Sequence, residues 1–464
     1  MRGEYIIVEN FTFLNFLQVE GLKELNEHGS LKITGLISKE KEEEYLEMAG
    51  EELWVKVNLL LENGNRTQFF HGILVGMAMK REGMASILTL ELKTGSFLLD
   101  IKKHTRSFQK ENISYEEIIR TCVEEGGGKF VMQDGKKEGS KGFFLQYKET
   151  DWDFMKRLAS YFQVPLIPED RALGKKIYFG YRAKKNAMDI ETDSISIIQN
   201  YGKYRKNQAL GASGLTERDT ISYRIGTREV YSLGERVFIG GREYAVGRVK
   251  SWLKGQELYH EYDLVTKKAG LPNIVSNKEL CGVSLKAKVR AVEKTMVQVE
   301  IEEDENKGKC GSRWFDYATV YSTPDGTGWY CMPEVGDEVR MVFPSEKEEE
   351  AYVASSVHLG SEGGRRNPEN KSWKNKQKKE ILLTPDSILL TNNKGMSIEL
   401  IDEKGIQIVS SKDIEIESKG DIQIKSQKEG ITMNAGKDMK MKQGASSIEI
   451  GENIYLNGGK IYMN

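Results

Sequence analysis

"GIQIVSSKDIEIESKGDIQIKS", residues 405–426, carries three isoleucine doublets, Ile406/Ile408, Ile414/Ile416 and Ile422/Ile424, spaced eight residues apart. An i, i+2 pair puts both side chains on one face of a strand. The residues between doublets are mostly polar or charged and leave room for a turn and little else. Each octad is therefore one short strand with one dry face. Two apolar residues per strand cannot cover themselves.

The pattern begins at Ile381 and continues to the end of the sequence, with doublets at 381/383, 388/390 and 398/400 ahead of the quoted stretch. After it come Ile431/Met433, Met439/Met441, Ile448/Ile450, Ile454/Leu456 and Ile461/Met463. A single-chain solenoid needs about 20 or more residues to close one coil around a core. Octads are too short for that, so the dry faces must meet the same faces of other chains. Three chains winding about a common axis would point every doublet, from Ile406 to Met463, into a triangular prism, and symmetric closure of identical chains is the usual solution. At about 4.8 Å per strand the repeats would build a needle about 50 Å long. The alternative is an antiparallel meander within one chain. The lack of Asn-Gly or Asp-Gly at regular turn positions, and the persistence of one register, count against it.

With 464 residues the chain has room for about three domains. Its net charge of −2 gives no global attraction to nucleic acid or anionic membrane. Glu9, Asn10 and Asn15 interrupt the apolar N-terminal stretch, so no signal peptide or membrane span is expected there. Synthesis and folding in the cytoplasm follow, with any exit by another route. Cys122, Cys281, Cys310 and Cys331 show neither C-x-x-C nor metal spacing and are expected to be reduced, structural thiols.

Ahead of the repeat the chain is β-rich. Residues 30–38, 53–61, 69–79 and 85–92 read as strands of a barrel-like unit, with a hairpin turn at 62–65. Two helices follow. Ser114 with Glu117 starts one, whose buried face is Ile118, Ile119, Cys122 and Val123, and Gly126–Gly128 stop it. Thr150 caps the next, with Phe154, Met155, Leu158, Ala159 and Phe162 inward and Pro165 beyond its end. A further β unit spans about 220–268. Residues 271–279 read as a linker, 281–359 as a compact β domain, and 361–379, rich in Lys and Arg, as a solvated linker.

Three segments together resemble the VgrG family, the spike proteins of contractile injection systems that fuse a phage tail hub to a tail spike. LQYKETDWDFMKRLASYFQVPLIP (145–168) is similar to the family's helix motif, carried here by Asp151, Trp152, Phe154, Arg157 and Leu158. YATVYSTPDGTGWYCMPEVGDEVRMVF (317–343) and YVASSVHLG (352–360) resemble its OB-fold, and the octads resemble its needle. The resemblance implies a mainly β fold: hub β-barrels over 1–270 with an α/β insertion near 101–200, a linker at 271–280 and an OB-fold over 281–359. A polar linker at 360–380 then leads to an intertwined trimeric β-helix, the β-prism needle, over 381–464. It also implies a homotrimer that caps an Hcp-like inner tube ring at the baseplate, contacts baseplate proteins, carries a PAAR-like tip protein or effectors, and punctures a target envelope on firing. Gly458, Gly459, Tyr462, Met463 and Asn464 are the candidate tip-docking residues. The best-known phage spike has a lysozyme domain between OB-fold and needle; the polar stretch here is too short for one, and no effector domain is expected after Asn464.

Catalytic chemistry is hard to find. His28, His71, His104, His260 and His358 are isolated, with no H-x-H or H-E-x-x-H. Some family tips bind iron through H-x-H; the terminal Tyr462, Met463 and Asn464 offer no such pair, and neither metal nor cofactor is expected. Residues 126–130, GGGKF, lack the G-K-[ST] of a P-loop. Asp151 and Asp153 sit where a helix starts, which favours capping and dipole complementation over paired-carboxylate catalysis. Trp152 and Phe154 read as core, and Pro333, Val335 and Gly336 as a turn into a strand. The expected protein is mechanical, not an enzyme. A tail-associated β-solenoid polysaccharide depolymerase would need a clustered carboxylate or His site and longer coils, and a surface adhesin would need an export signal.

Overall fold

The computed structural model describes residues 5–48, 52–60, 64–133, 142–182, 190, 192, 194–202, 205, 216–255, 257–357, 367–460 and 462. The chain divides into two units, Met1–His358 and Leu359–Asn464.

The first unit is built on one eleven-stranded sheet. Its path runs Tyr5–Val8, Trp54–Leu60, Arg66–Glu82, Ala85–Thr94, Ser30–Ile37, Asn15–Glu24, Arg242–Lys254, Glu257–Val265, Ile221–Thr227 and Ser194–Gln199, with Arg236–Ile239 beside Arg242–Lys254. Period-two alternation decides which side chains go in: Leu88, Leu90 and Leu92 are buried while Thr89 and Glu91 face outward. Two hub cores result. One gathers Val19, Leu31, Ile33, Val57, Phe69 and Leu90; the other gathers Ile225, Val246, Tyr262 and Leu264 around Ile167. The strands expected at 30–38, 53–61, 69–79 and 85–92 are present, and the turn between the second and third lies partly outside the described residues. Where separate barrels were expected, two cores share a continuous sheet. Arg242–Lys254, 13 residues long, pairs with Glu257–Val265 on one side and Asn15–Glu24 on the other.

Between the two halves lies the α/β insert. After the short hub helix α1 (Glu42–Met48) come α2 (Tyr115–Glu125) and α3 (Asp151–Tyr161). The Ser114 side chain accepts from the Glu117 N–H and that of Thr150 from the Asp153 N–H, each at 3.1 Å. Each satisfies an orphan donor of the first turn. The two helices bury Ile118/Ile119/Cys122/Val123 and Phe154/Met155/Leu158/Ala159, as their periodicity predicts, while Phe162, read as the last member of the second stripe, sits just past the end of α3 and is half-buried against the same core.

A five-stranded antiparallel sheet follows, in the order Trp314–Asp316, Met296–Ile301, Ser284–Glu293, Glu338–Val342, Tyr352–Ala354. Its edges meet: Tyr317 bridges Val353 in parallel, and the Ala318 N–H donates to the Val353 carbonyl at 2.7 Å. The core inside is not self-contained. Phe143, Leu145 and Tyr147, on the insert strand Phe144–Thr150 and just before it, pack with Leu285, Val297, Phe315, Val339 and Met341. On the opposite face of that strand, Phe144 packs into the insert core. Residues 271–279, read as a linker, are docked: Asn277 Nδ2 donates to the Tyr147 carbonyl at 2.8 Å and the Val275 N–H to Ser160 Oγ at 3.0 Å.

The second unit contains two antiparallel sheets. Lys371–Lys374, Glu380–Leu383, Ser387–Thr391, Met396–Ile401 and Gly405–Ser410 form one in sequence order; Met439–Gln443, Ser446–Ile450 and Ile454–Asn457 form the other. This corrects two readings. The polar stretch 361–379 is not all linker, because Lys371–Lys374 is a strand paired with Glu380–Leu383. The repeat is also not uniformly unpaired within one chain, because residues 380–410 and 439–457 turn back on themselves. The turn signals are Asn393, Gly395, Gly405 and Gly444, all at positive φ. They serve longer connections than the two-residue Asn-Gly turn. Between the sheets, no strand is assigned over 411–438.

Candidate functional site: an uncovered apolar stripe

Strand register shows where the doublets go. Ile381 faces Leu390 and Leu383 faces Ile388; Ile388 faces Leu400 and Leu390 faces Ile398; Ile398 faces Ile408 and Leu400 faces Ile406. Directly opposed residues share a face, so all four doublets lie on one side of the sheet. In the second sheet Met439 faces Ile450, Met441 faces Ile448, Ile448 faces Leu456 and Ile450 faces Ile454, again on one side. The other side of that sheet carries charge, with Lys440 Nζ 2.6 Å from Glu449 Oε1.

No described residue covers the apolar side. Ile406 is 69% exposed and Ile408 61%, and no described residue of 367–462 is buried. The middle stretch completes the stripe: Ile414, Ile416, Ile422, Ile424, Ile431 and Met433 are all exposed. From Lys412 to Asp438 no backbone group bonds to the backbone of another described residue. The octad run from Ile398 to Ile424 thus begins in the paired strands and continues into the part of the chain that lacks backbone partners of its own. Gly458, Gly459 and Tyr462 are exposed at the far end; Ile461, Met463 and Asn464 lie outside the described residues.

The five helix-motif residues come together elsewhere, in α3. Trp152 is buried with its ring 4.3 Å from that of His28, and Phe154 and Leu158 are core. Asp151 does more than open the helix: Arg106 Nη1 donates to its Oδ1 at 2.6 Å and Gln146 Nε2 at 3.0 Å. Arg157 is fully buried. It donates to Glu149 at 2.9 and 2.7 Å, to the Leu145 carbonyl at 2.9 Å, and to Glu348 in the connection between the strands Glu338–Val342 and Tyr352–Ala354 of the five-stranded sheet. Burial disfavours its charge, but Glu149 and Glu348 outweigh that and hold the guanidinium cationic. Nearby, Ser107 N–H donates to Asp304 Oδ1 at 2.9 Å, and His104 Nδ1 lies 2.6 Å from Glu305 Oε2. The motif therefore locks the insert to the five-stranded domain. Sequence reading placed Arg157 but not its partner Glu348, which is 191 residues away.

One grouping has the composition of a hydrolytic triad. Ser96 Oγ lies 2.8 Å from His28 Nδ1, and His28 Nε2 lies 3.3 Å from Asp100 Oδ2. Ser96 is fully buried under the Trp152 and Phe97 side of the imidazole, so no substrate reaches it. Burial also pushes the Cys122 thiol up, with the Asp151 charge adding to it, which removes its thiolate. Cys122, Cys281, Cys310 and Cys331 are all free thiols. Among the described residues no group of three or more His, Cys, Asp or Glu is placed to hold a metal.

With this geometry in hand, comparison with known proteins is informative. The family described as the type VI secretion system/phage-baseplate injector OB domain matches residues 285–358. No curated protein matches the chain in sequence. Among solved structures, the E. coli c3393 protein is described as a component of the type VI secretion system with structural similarity to the T4 bacteriophage tail proteins gp27 and gp5. It aligns with a TM-score of 0.53 at 12% identity, over 76% of this chain and 100% of that one. A chain of the half-lidded Francisella PdpA–VgrG complex aligns with a TM-score of 0.54 at 9% identity, over 88% of each chain. The lidless PdpA–VgrG complex gives 0.54 at 10% identity, over 88% of this chain and 99% of that one. The fold is shared with these type VI secretion and VgrG-complex chains. In fold the chain resembles the chains of the PdpA–VgrG complexes, and its segment 285–358 matches the injector OB-domain family.

Proposed function

We propose that the chain acts as a homotrimer, the hub and spike of a contractile injection apparatus. The observation that carries this reading is the uncovered stripe: apart from the half-buried Met439, every doublet residue from Ile381 to Leu456 is solvent-exposed, on a unit with no buried side chain among its described residues. A five-stranded and a three-stranded layer, each with its apolar side bare to water, expose a contiguous apolar patch of the kind that marks an interaction surface. Three copies rotated about one axis bring three such sides together. Over 380–410 and 439–457 each copy supplies one self-paired side of a prism. Over 411–438, where the backbone lacks partners, the three copies wind around each other and pair strand to strand. The intertwined section is then the middle of the needle rather than its whole length.

Function follows from stiffness and symmetry. The first unit caps an Hcp-like tube ring and meets baseplate proteins. The needle points outward and is driven through a target envelope, and Gly458, Gly459, Tyr462, Met463 and Asn464 seat a PAAR-like tip protein or effector. No chemistry is required of the chain. It assembles in the cytoplasm and leaves it only on firing. Light scattering tests the central step: the expected mass is three times 52.7 kDa, and a folded monomer at micromolar concentration would overturn it. Recovery of tip-loaded particles after deletion of 458–464 would remove the docking assignment alone.

A further inference from the structure

An octad repeat has a defect as a trimer interface: it does not specify its own alignment. Ile406/Ile408, Ile414/Ile416 and Ile422/Ile424 are the same doublet at the same interval. Over 406–424 a copy that slips by eight residues keeps its apolar face inward and its polar face outward. Register is weakly specified wherever successive alignments bury the same groups.

The two flanking sheets do not share the defect. Their strand pairing is set inside one copy, by hairpins, and so cannot slip between copies. In the distal sheet the doublets at 439, 448 and 454 depart further from the octad step, with intervals of nine and six, where the middle stretch has a single nine-residue step from 422 to 431. A groove of about 400 Å³ lies there, lined among others by Met441, Gln443, Ile448, Leu456 and Gly458. Lys440 and Glu449 mark the opposite side as the water side. The groove is part of the same stripe as the octads, so its occupant is the stripe of another copy. We propose that the distal sheet, residues 439–457, is a register clamp: its face fits only the same sheet of two further copies, and this docking forbids octad slippage in 411–438. The inference rests on the trimer reading above and adds to it a means of alignment.

Two chain lengths coexpressed in one cell test it. One is the full chain; the other lacks one octad, residues 414–421, and joins Asp413 to Ile422, which keeps the repeat in phase. The hub and the proximal sheet anchor one end in both, so in a mixed trimer the distal sheets would sit one octad apart with their faces bare. Native mass spectrometry of differently tagged chains counts the species. Random mixing gives about three quarters mixed trimers; with the clamp, mixed species should fall about tenfold or more below that share, while each chain forms its own trimer. The same pair truncated after Asp438 should return to random mixing. Mixed trimers at the random share in the full pair overturn the clamp, as does exclusion that survives truncation. Trimers lost on truncation would assign the sheet to assembly itself and overturn the register role. Absence of trimers from the full chain would instead bring down the trimer reading, and the clamp with it.

Discussion

The two units of the molecule solve the same problem in opposite ways. In Met1–His358, alternating strands and amphipathic helices turn their apolar sides toward one another and fill four cores. In Leu359–Asn464, equally regular alternation buries nothing among the described residues. Leu90 and Leu390 sit in strands of similar pattern, yet the first is fully buried and the second half exposed. Alternation specifies a face; only a second layer makes that face a core. The first unit carries its second layer within the chain. The second unit does not, and its repeat interval is too short to fold one back.

The sharpest way to break this contrast is to place a charge in the stripe. Ile416 is 74% exposed in one copy, so Ile416→Asp should leave the melting of the first unit within about 0.5 kcal/mol of the parent. In a prism the same change would bring three carboxylates to the axis, a burial no trimer tolerates unpaired. Light scattering should show the trimer lost while the melt of the first unit is unchanged. A trimer that persists would mean the stripe is not the interface.

Next in size is the lock between insert and OB domain. Arg157→Ala strands Glu149 and Glu348 without their partner and should cost about 3–5 kcal/mol; Arg157→Met together with Glu149→Gln and Glu348→Gln should cost much less. Denaturant midpoints of the full chain read both. Equal losses would mean that packing around the side chain, not its charge, matters.

The core shared across the expected domain boundary gives the third test. Leu145→Ala should destabilise by about 2–5 kcal/mol, because it opens a cavity in a core formed mainly by residues 280–353. Residues 281–357 expressed alone should not fold cooperatively, since Phe143, Leu145 and Tyr147 are missing from their core. A cooperative melt of that fragment would sharpen the boundary to the one read from sequence.

How much was legible follows the range of each interaction. Helix caps at Ser114 and Thr150, the stripes of α2 and α3, and the strands around 30–94 are local patterns, and all were readable. The doublets declared a dry face, but not what pairs with what, because hairpins and winding chains need the same i, i+2 spacing. The distinguishing signal was conformational: Asn393, Gly395 and Gly405 at positive φ in the meander, against Gly420, Gly430 and Gly436, which are not in that region. The joining of the hub halves by Arg242–Lys254 and the Arg157–Glu348 contact have no sequence signature, since each connects residues about 200 apart. Asp151 looked like a helix cap because its partner Arg106 lies on the strand Lys103–Phe108, 45 residues earlier in the chain.

The smallest expected effect separates the units by pH. His260 is fully buried in the hub with Ser251 Oγ at 2.7 Å from its Nδ1. Burial, then the charges of Lys23 and Arg171, push its pKa down to about 3. Above about pH 6.5 it is neutral folded and unfolded, and stability does not depend on it. As pH falls from there toward 3 the unfolded chain takes up a proton that the folded one refuses, and stability is lost at up to about 1.4 kcal/mol per unit. His260→Gln should flatten that slope between pH 6.5 and 5, a range above the main carboxylate titrations, in melts of the first unit. The apolar stripe 380–457 contains no histidine, so the proposed assembly should stay level over the same interval. A slope unchanged by the substitution would mean His260 opens to water in the folded hub.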